Sequence, residues 1–152
     1  MKTPINFAHV HLILTHFPPV LSLGGAVAAT AGLFLRRYAG ELGRLALLLL
    51  IVAGVTTPMA YFAGGRAADE IGSVAGIQQD AIAPHEKAAT TALYCSIAAG
   101  VVAIAAVIAG RRRGSVPLLL RILVVIAAIV SAAAIGWAAA LGGAIHHPEI
   151  FL

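Results

Sequence analysis

Four long stretches without a charged side chain dominate this sequence. No Lys, Arg, Asp or Glu occurs over 3–35, 45–65, 88–110 or 122–148. An α-helix needs about 20 mainly apolar residues to cross the hydrocarbon core of a bilayer, so each stretch is long enough for one span. Hydrophobic residues make up 61% of the 152 residues and charged residues only 11%. This composition excludes a soluble globular enzyme, a disordered chain and a free nucleic-acid-binding module.

The sequence predicts an all-α fold, an integral membrane four-helix bundle that forms a single transmembrane domain over 1–152. The predicted spans cover 12–35, 44–63, 86–109 and 117–144. The segment 64–85 is predicted as a periplasmic loop, whose pattern suits a short amphipathic helix on the membrane surface. Strand-type alternation is absent from the spans, which argues against a β-barrel.

Basic residues predict the orientation of the bundle. Seven of the ten Lys and Arg residues fall in the two short loops: Arg36, Arg37, Arg44, Arg111, Arg112, Arg113 and Arg121. The positive-inside rule places these loops in the cytoplasm and both termini on the periplasmic side of a bacterial inner (cytoplasmic) membrane. The net charge of +4 is then a topology signal, and it does not indicate a nucleic-acid partner.

All six histidines fall near the same end of the predicted bundle. They are His9, His11 and His16 at the start of span one, His85 at the start of span three, and His146 and His147 at the end of span four. A single histidine at a membrane interface needs no function. Ionisable side chains from three helices at the same end of the bundle predict a metal or haem site, with His16, the deepest, as the first candidate.

Imidazole ligates zinc, copper and iron, and two imidazoles can hold a b-type haem inside a helix bundle. Small residues follow the histidines at helical spacing: Gly143, Ala140 and Gly136 before His147, and Ala88, Ala89, Ala92 and Ser96 after His85. Such faces would leave room for a flat porphyrin, although small residues also simply let membrane helices pack closely.

Two other metal sites are excluded by spacing. The pair His85-Glu86 lacks the second histidine of HExxH, because position 89 is Ala89. The single cysteine, Cys95, provides no CxxCH attachment for a c-type haem.

Prolines interrupt span one directly after His16. Pro18 and Pro19 either kink a continuous helix and turn His16 inward, or stand in the first turn of a helix that begins near Phe17. The sequence leaves both alternatives open.

Three ordered motifs resemble those of a family of small bacterial four-helix membrane proteins. HLILTHFPPVL (11–21) is similar to the family's His-x4-His-Phe-Pro opening. YFAGGRAADEI and IAPHEKAATTAL resemble its Tyr-x-x-Gly-x-x-Ala-x-x-Glu and His-Glu-x-x-Ala segments, and GGAIHHPEI resembles its Gly-Gly-x-Ile-Arg-His-Pro-Glu-Ile close. The resemblance covers nearly the whole chain. Members are often encoded near, or fused to, cytochrome-type redox proteins, which implies a role in respiratory electron transfer.

The resemblance implies four cofactor-binding histidines: His11, His16, His85 and His147. These suffice for two bis-histidine haems or for one four-ligand metal centre. His9 and His146 fall outside the motifs and are additional candidate ligands, with His146 standing where the family usually has arginine. Leu12 replaces a proline that many members carry after the first histidine.

We therefore expect a membrane-embedded b-type haem protein with one or two haems b. It would transfer electrons between a periplasmic redox partner and the quinone pool or another membrane subunit, as an electron-transfer subunit rather than a stand-alone enzyme. Glu86 and Glu149 are candidate hydrogen-bond partners of the ligand histidines. The alternatives are a copper- or zinc-binding membrane protein and a membrane-anchor subunit of a respiratory complex.

Overall fold

The computed structural model of the chain is all-helical. It describes the backbone of residues 6–71 and 79–146, and the side chains of 6–69 and 80–145. The helices are α1 (Phe7–Leu14), α2 (Phe17–Phe34), α3 (Ala39–Ile71), α4 (Gln79–Arg113) and α5 (Leu118–His146), with a short 3₁₀ turn, Arg36–Tyr38, between α2 and α3.

Four parts of the chain are long and apolar enough to cross a membrane: α1 together with α2, then α3, α4 and α5. Their outer faces expose large apolar side chains, for example Val20 (71% exposed), Leu119 (70%) and Phe34 (77%). Apolar surface on this scale suits lipid rather than water. The prediction of an all-α chain with four helices able to span a membrane is confirmed.

Small residues form the core of the bundle. Helices α2, α3, α4 and α5 form a closed ring in which each packs against two neighbours. Among the described side chains, the largest that is fully buried is Leu50, and most of the others are alanines. Where α3 crosses α4, a Cβ added to Gly54 would lie 3.3 Å from the Cα of Gly100. Side chains of this size let the helix backbones approach closely.

The start of the chain resolves the two alternatives for the proline pair. Helix α1 ends at Leu14, and α2 begins at Phe17 with proline in its first turn. The missing amide of a proline costs no hydrogen bond at that position. The interpretation that a helix begins near Phe17 is confirmed. Helix α1 packs against α3, as α2 does, and has few contacts with α2 itself.

Helices α3 and α4 extend further than the predicted spans. The segment expected as a loop over 64–85 is helical up to Ile71 and again from Gln79, while 72–78 lie outside the described residues. Alanine, glutamate and glutamine favour helix, so these helices continue past the apolar stretch. Helix α3 also continues through Pro58, and next to it the hydroxyl of Thr57 donates to the carbonyl of Ala53 at 2.8 Å.

At the end of the bundle that carries the arginine-rich loops, α4 stops at Arg113. Gly114 then takes a left-handed conformation (φ 73°), which glycine adopts without strain. Nearby, Nη2 of Arg121 on α5 donates to the carbonyl of Gly32 on α2 at 2.7 Å. This bond joins the first and last members of the helix ring.

Replacing Gly100 with leucine is expected to lower the thermal unfolding temperature of the protein in detergent. The new side chain would meet the backbone of α3 at Gly54, which cannot move aside, and overpacking of this kind costs about 1–3 kcal/mol. Gly136→Leu is the matched control, because a Cβ there meets nothing within 4 Å. Equal unfolding temperatures for the two variants would contradict the close crossing.

Candidate functional site

The histidines of the described chain gather at one end of the bundle, called here the histidine end. It comprises α1, the last turns of α3 and α5 and the first turns of α4. His9 and His11 lie on α1, His16 directly precedes α2, and His85 lies on α4. His146 ends α5, but its side chain is outside the described residues, as are His147 and Glu149.

The ring of His11 is fixed against α3. Its Nδ1 lies 2.9 Å from the carbonyl oxygen of Ala60. A carbonyl can only accept, so Nδ1 carries the proton and donates it, which leaves the Nε2 lone pair of the neutral ring available. The same ring fills the space over Gly64, where an added Cβ would lie 2.7 Å from Cε1, 3.0 Å from Nδ1 and 3.4 Å from Nε2.

The ring of His85 is fixed against α5 in the same way. Its Nδ1 lies 2.9 Å from the carbonyl oxygen of Ala138. A Cβ added to Gly142 would lie 3.0 Å from Cε1, 3.2 Å from Nδ1 and 3.7 Å from Nε2 of this ring. As with His11, Nδ1 must donate to the carbonyl, and Nε2 keeps its lone pair.

The arrangements around His11 and His85 have the same geometry. Each histidine stands near the start of a helical hairpin, and each donates to a carbonyl that lies four residues before a glycine on the returning helix. In an α-helix that carbonyl already accepts the glycine amide, so the imidazole adds a second hydrogen bond to it. Because the glycine has no Cβ, the ring can reach the carbonyl. The hydrogen bond sets the tautomer in which the Nε2 lone pair is free to accept a hydrogen bond or to bind a metal ion.

Both histidines face the same space. A cleft of about 1900 Å³ opens at the histidine end and is lined by His11, His16 and His85. Its neighbour is a small, partly open apolar pocket of about 90 Å³, called here the inner cavity, which is lined by His11 and His85 but not by His16. Ligand pockets commonly measure about 300–1000 Å³, so the half-open cleft has volume enough for a large ligand and the inner cavity alone does not.

The remaining described histidines have local partners. Nδ1 of His16 lies 2.7 Å from the carbonyl of Leu12, and the side chain is exposed at the edge of the cleft. Nδ1 of His9 lies 2.7 Å from Oδ1 of Asn6, the residue that caps α1. The structure thus brings His11 and His85 to one inner cavity, with His16 at the rim and His9 outside it.

The small-residue faces were predicted well for α4 and only in part for α5. On α4, Ala88, Ala92 and Ser96 are buried as expected. On α5, Gly143 lines the cleft, but Gly136 and Ala140 are exposed. The face that turns inward instead carries Ser131, Ile135, Ala138 and Gly142. The predicted face was obtained by counting back from His147 at helical spacing. It is rotated about the axis of α5 relative to the face that the structure buries.

Charged side chains surround the mouth of the cleft. Its lining includes Arg66, Asp69, Glu86 and Lys87. The guanidinium carbon of Arg66 lies 4.8 Å from the centre of the Phe7 ring, within the range of a cation–π interaction. Glu86 is exposed, and the hydrogen bond at Nδ1 of its neighbour His85 goes to a carbonyl instead of a carboxylate.

Each helix of the ring carries one buried hydroxyl at or below the inner cavity. This hydroxyl layer consists of Ser22, Thr57, Ser96 and Ser131. Thr57 itself lines the cavity, and the three serines lie about one helical turn deeper than the lining residues Pro18, Ala92 and Ile135. The hydroxyls of Thr57 and Ser96 are 2.9 Å apart. The Ser131 hydroxyl has no hydrogen-bond partner among the described residues.

Sequence reasoning missed the two carbonyls, the two glycines under the rings and the hydroxyl layer. The double glycines Gly64-Gly65 and Gly142-Gly143 are the signal that was present, since each occupies the corresponding place near the end of a hairpin. No signal in the sequence identifies Ala60 or Ala138, because the bonding group is the backbone.

Comparisons of this chain with protein-family models, with curated proteins and with solved structures give no match. The site is therefore interpreted from its own residues. Within the described part of the chain, no group of three or more His, Cys, Asp or Glu side chains is placed to hold a metal ion. What the described residues offer is a pair of imidazoles beside a large cleft.

Replacing Gly64 with alanine is expected to destabilise the protein, although alanine favours helix over glycine by about 1 kcal/mol. The new Cβ would lie 2.7 Å from the His11 ring and force it off the Ala60 carbonyl. Gly65→Ala is the matched control, since a Cβ there meets nothing within 4 Å. Thermal unfolding in detergent measures both, and a Gly64→Ala variant as stable as Gly65→Ala would contradict the ring placement.

Replacing Ser131 with alanine is expected to raise the free energy of unfolding by up to about 1 kcal/mol, because it removes a buried hydroxyl without a described partner. Ser96→Ala is expected to lower it by about 0.5–1 kcal/mol, since Thr57 then loses its interhelical bond. Unfolding by titration with a denaturing detergent compares the two. Equal losses in both variants would show that the Ser131 hydroxyl is bonded in the membrane.

Proposed function

We propose that this chain is a membrane-embedded b-type haem protein in which His11 and His85 are the two axial ligands of one haem iron. The observation that supports this most is the repeated arrangement of the two rings. Each imidazole donates from Nδ1 to a backbone carbonyl, which leaves Nε2 as the ligand atom, and both line one cavity.

The chemistry of the donor set fits iron in a porphyrin. Two neutral imidazoles complete the coordination of a haem iron, whereas a structural zinc site takes four protein ligands. The lining is mostly apolar, with Tyr61, Pro19 and Ala89 among its members, as the faces of a macrocycle require. A haem supplies a one-electron couple, and the protein supplies its ligands, burial and orientation.

Ligation by two histidines favours a role in electron transfer over a role in catalysis at the iron. If His11 and His85 both held the haem iron, they would leave it no position for a substrate or for oxygen, and the haem would supply a one-electron couple. We propose that the histidine end faces the periplasm, as the distribution of arginines predicts. The electron partners on this proposal are a periplasmic redox protein or a respiratory complex subunit on one side, and quinone in the bilayer on the other.

One observation favours the alternative of a copper or zinc protein. The inner cavity that His11 and His85 share measures about 90 Å³, a volume that suits a bare ion better than a macrocycle. On this alternative the two imidazoles would need further ligands from His147 or from outside the chain. Elemental analysis together with an absorption spectrum distinguishes the two proposals.

The protein, expressed in a bacterial membrane and purified in mild detergent, is expected to show a Soret band and sharp α and β bands after reduction with dithionite. Such bands indicate a low-spin haem with two strong axial ligands. Haem quantified per chain is expected to be close to one. A colourless protein that stays colourless after haem is added, and that contains stoichiometric copper or zinc, would overturn the haem proposal in favour of the alternative.

Replacing His11 or His85 with alanine is expected to abolish the low-spin spectrum, because either change removes one of the two axial ligands. His9→Ala is the matched control, since its side chain bonds Asn6 and does not line the cleft. His16 was the first candidate ligand from the sequence. Because it is not one of the proposed pair, His16→Ala is expected to keep the low-spin spectrum. A full spectrum in both His11→Ala and His85→Ala would refute this ligand pair.

To separate loss of ligation from loss of fold, His85→Gly is titrated with free imidazole. The glycine variant leaves a ring-sized space next to the carbonyl of Ala138. Added imidazole is expected to restore the low-spin bands in the folded variant. Restoration of the spectrum shows that the ring at position 85 acts as a ligand.

A further inference from the structure

The two hairpins repeat the histidine arrangement but differ at the mouth of the cleft. Gly64-Gly65 is followed by Arg66, whereas Gly142-Gly143 is followed by Ala144. One side of the mouth therefore carries a cation, Arg66, and the equivalent position of the other hairpin, Ala144, carries no charge and does not line the cleft. A ligand held between the two equivalent imidazoles would therefore have the Arg66 cation next to only one part of its edge.

The position of Arg66 is not explained by membrane topology. The arginine-rich loops lie at the opposite end of the bundle, and a basic residue at the histidine end works against the charge asymmetry that orients the chain. Among the described residues, Lys87 is the other basic side chain that lines the cleft. Since topology does not explain a basic residue at this position, we look for an interaction of Arg66 at the cleft itself.

The guanidinium of Arg66 lies over an aromatic ring of α1. It lies 4.8 Å from the centre of the Phe7 ring. Phe7 precedes His11 by four residues on α1, so the two share the face of α1 that packs against α3. The cation thus stands about one helical turn further toward the open mouth than the His11 imidazole.

This placement suits an amphiphilic ligand with an acidic edge. A planar guanidinium binds a carboxylate through two parallel hydrogen bonds, and stacking on an aromatic ring reduces the freedom that it loses on binding. Asp69 and Glu86 also line the mouth and would repel a carboxylate, so an acidic edge is favoured only next to Arg66 or Lys87. Of these two cations, Arg66 is the one that an aromatic ring holds in position.

We infer that Arg66, stacked on Phe7, anchors a carboxylate of the bound ligand and so fixes which edge of the ligand faces the mouth. The inference rests on the proposed haem function, because the two carboxylates of haem b lie along one edge of the macrocycle. It assigns Arg66 a positioning role that the imidazoles, being equivalent, cannot supply.

The test compares haem b with its dimethyl ester, in which both carboxylates are esterified and uncharged. The dissociation constants of the two ligands are measured by spectral titration of the ligand-free protein in detergent. Charge-assisted hydrogen bonds are typically worth enough for a factor of ten in affinity. We expect the full-length protein to bind haem b about tenfold more tightly than the ester.

In Arg66→Gln this ratio is expected to fall to about one, with the affinity for the ester unchanged. Phe7→Leu removes the ring beneath the guanidinium and is expected to give an intermediate ratio, which keeps the test valid if Arg66→Gln does not fold. Arg113→Gln, at the opposite end of the bundle, is the control and is expected to keep the tenfold ratio.

The outcomes separate this inference from the proposed function. Failure of the unmodified protein to bind either ligand would refute the haem proposal itself. Equal binding of haem b and the ester would leave that proposal standing and overturn the anchoring role of Arg66. A tenfold ratio that persists in both Arg66→Gln and Phe7→Leu would also overturn it.

Discussion

The close approach of helix backbones is the constraint on which the rest of this structure depends. In a bilayer, backbone polar groups must find partners within the protein, and helices meet this demand along their own length. Helices gain little from burying apolar surface against each other in lipid, so they associate through tight contact. Alanine, glycine and serine provide that contact here, as the crossing of Gly54 with Gly100 shows. The same choice of residue makes helix carbonyls reachable from a neighbouring helix.

His11 and His85 each bond a helix carbonyl that is reachable for this reason. An imidazole can bond a carbonyl already engaged in a helix only if nothing projects from the next turn. Gly64 and Gly142 meet this condition for Ala60 and Ala138. A carboxylate at Nδ1 would have brought a negative charge into an apolar site, at a considerable desolvation cost. A carbonyl fixes the same tautomer without that charge, so the rings are oriented while the cavity stays apolar.

Sequence reasoning predicted the parts of the structure that depend on composition along one helix. The charge-free stretches define four spans, the position of Pro18 is compatible with a helix start, and the face of α4 follows from counting forward from His85. It failed in part for α5, where the inward face carries Ala138 and Gly142 rather than Gly136. The rotation of that helix is set by contacts with α4, and a stripe of small residues occurs on more than one of its faces.

The candidate site could be predicted only in outline for a related reason. Six histidines at one end are visible in the sequence, but their roles depend on partners from other helices. His16 is the deepest along span one, yet the break before Phe17 leaves it at the rim, where it bonds the carbonyl of Leu12. His11 lies nearer the chain start, yet α1 packs across α3 and delivers its ring to the inner cavity. The face of the helix on which a histidine lies thus decides whether it can face His85, and sequence depth alone gives no measure of that face.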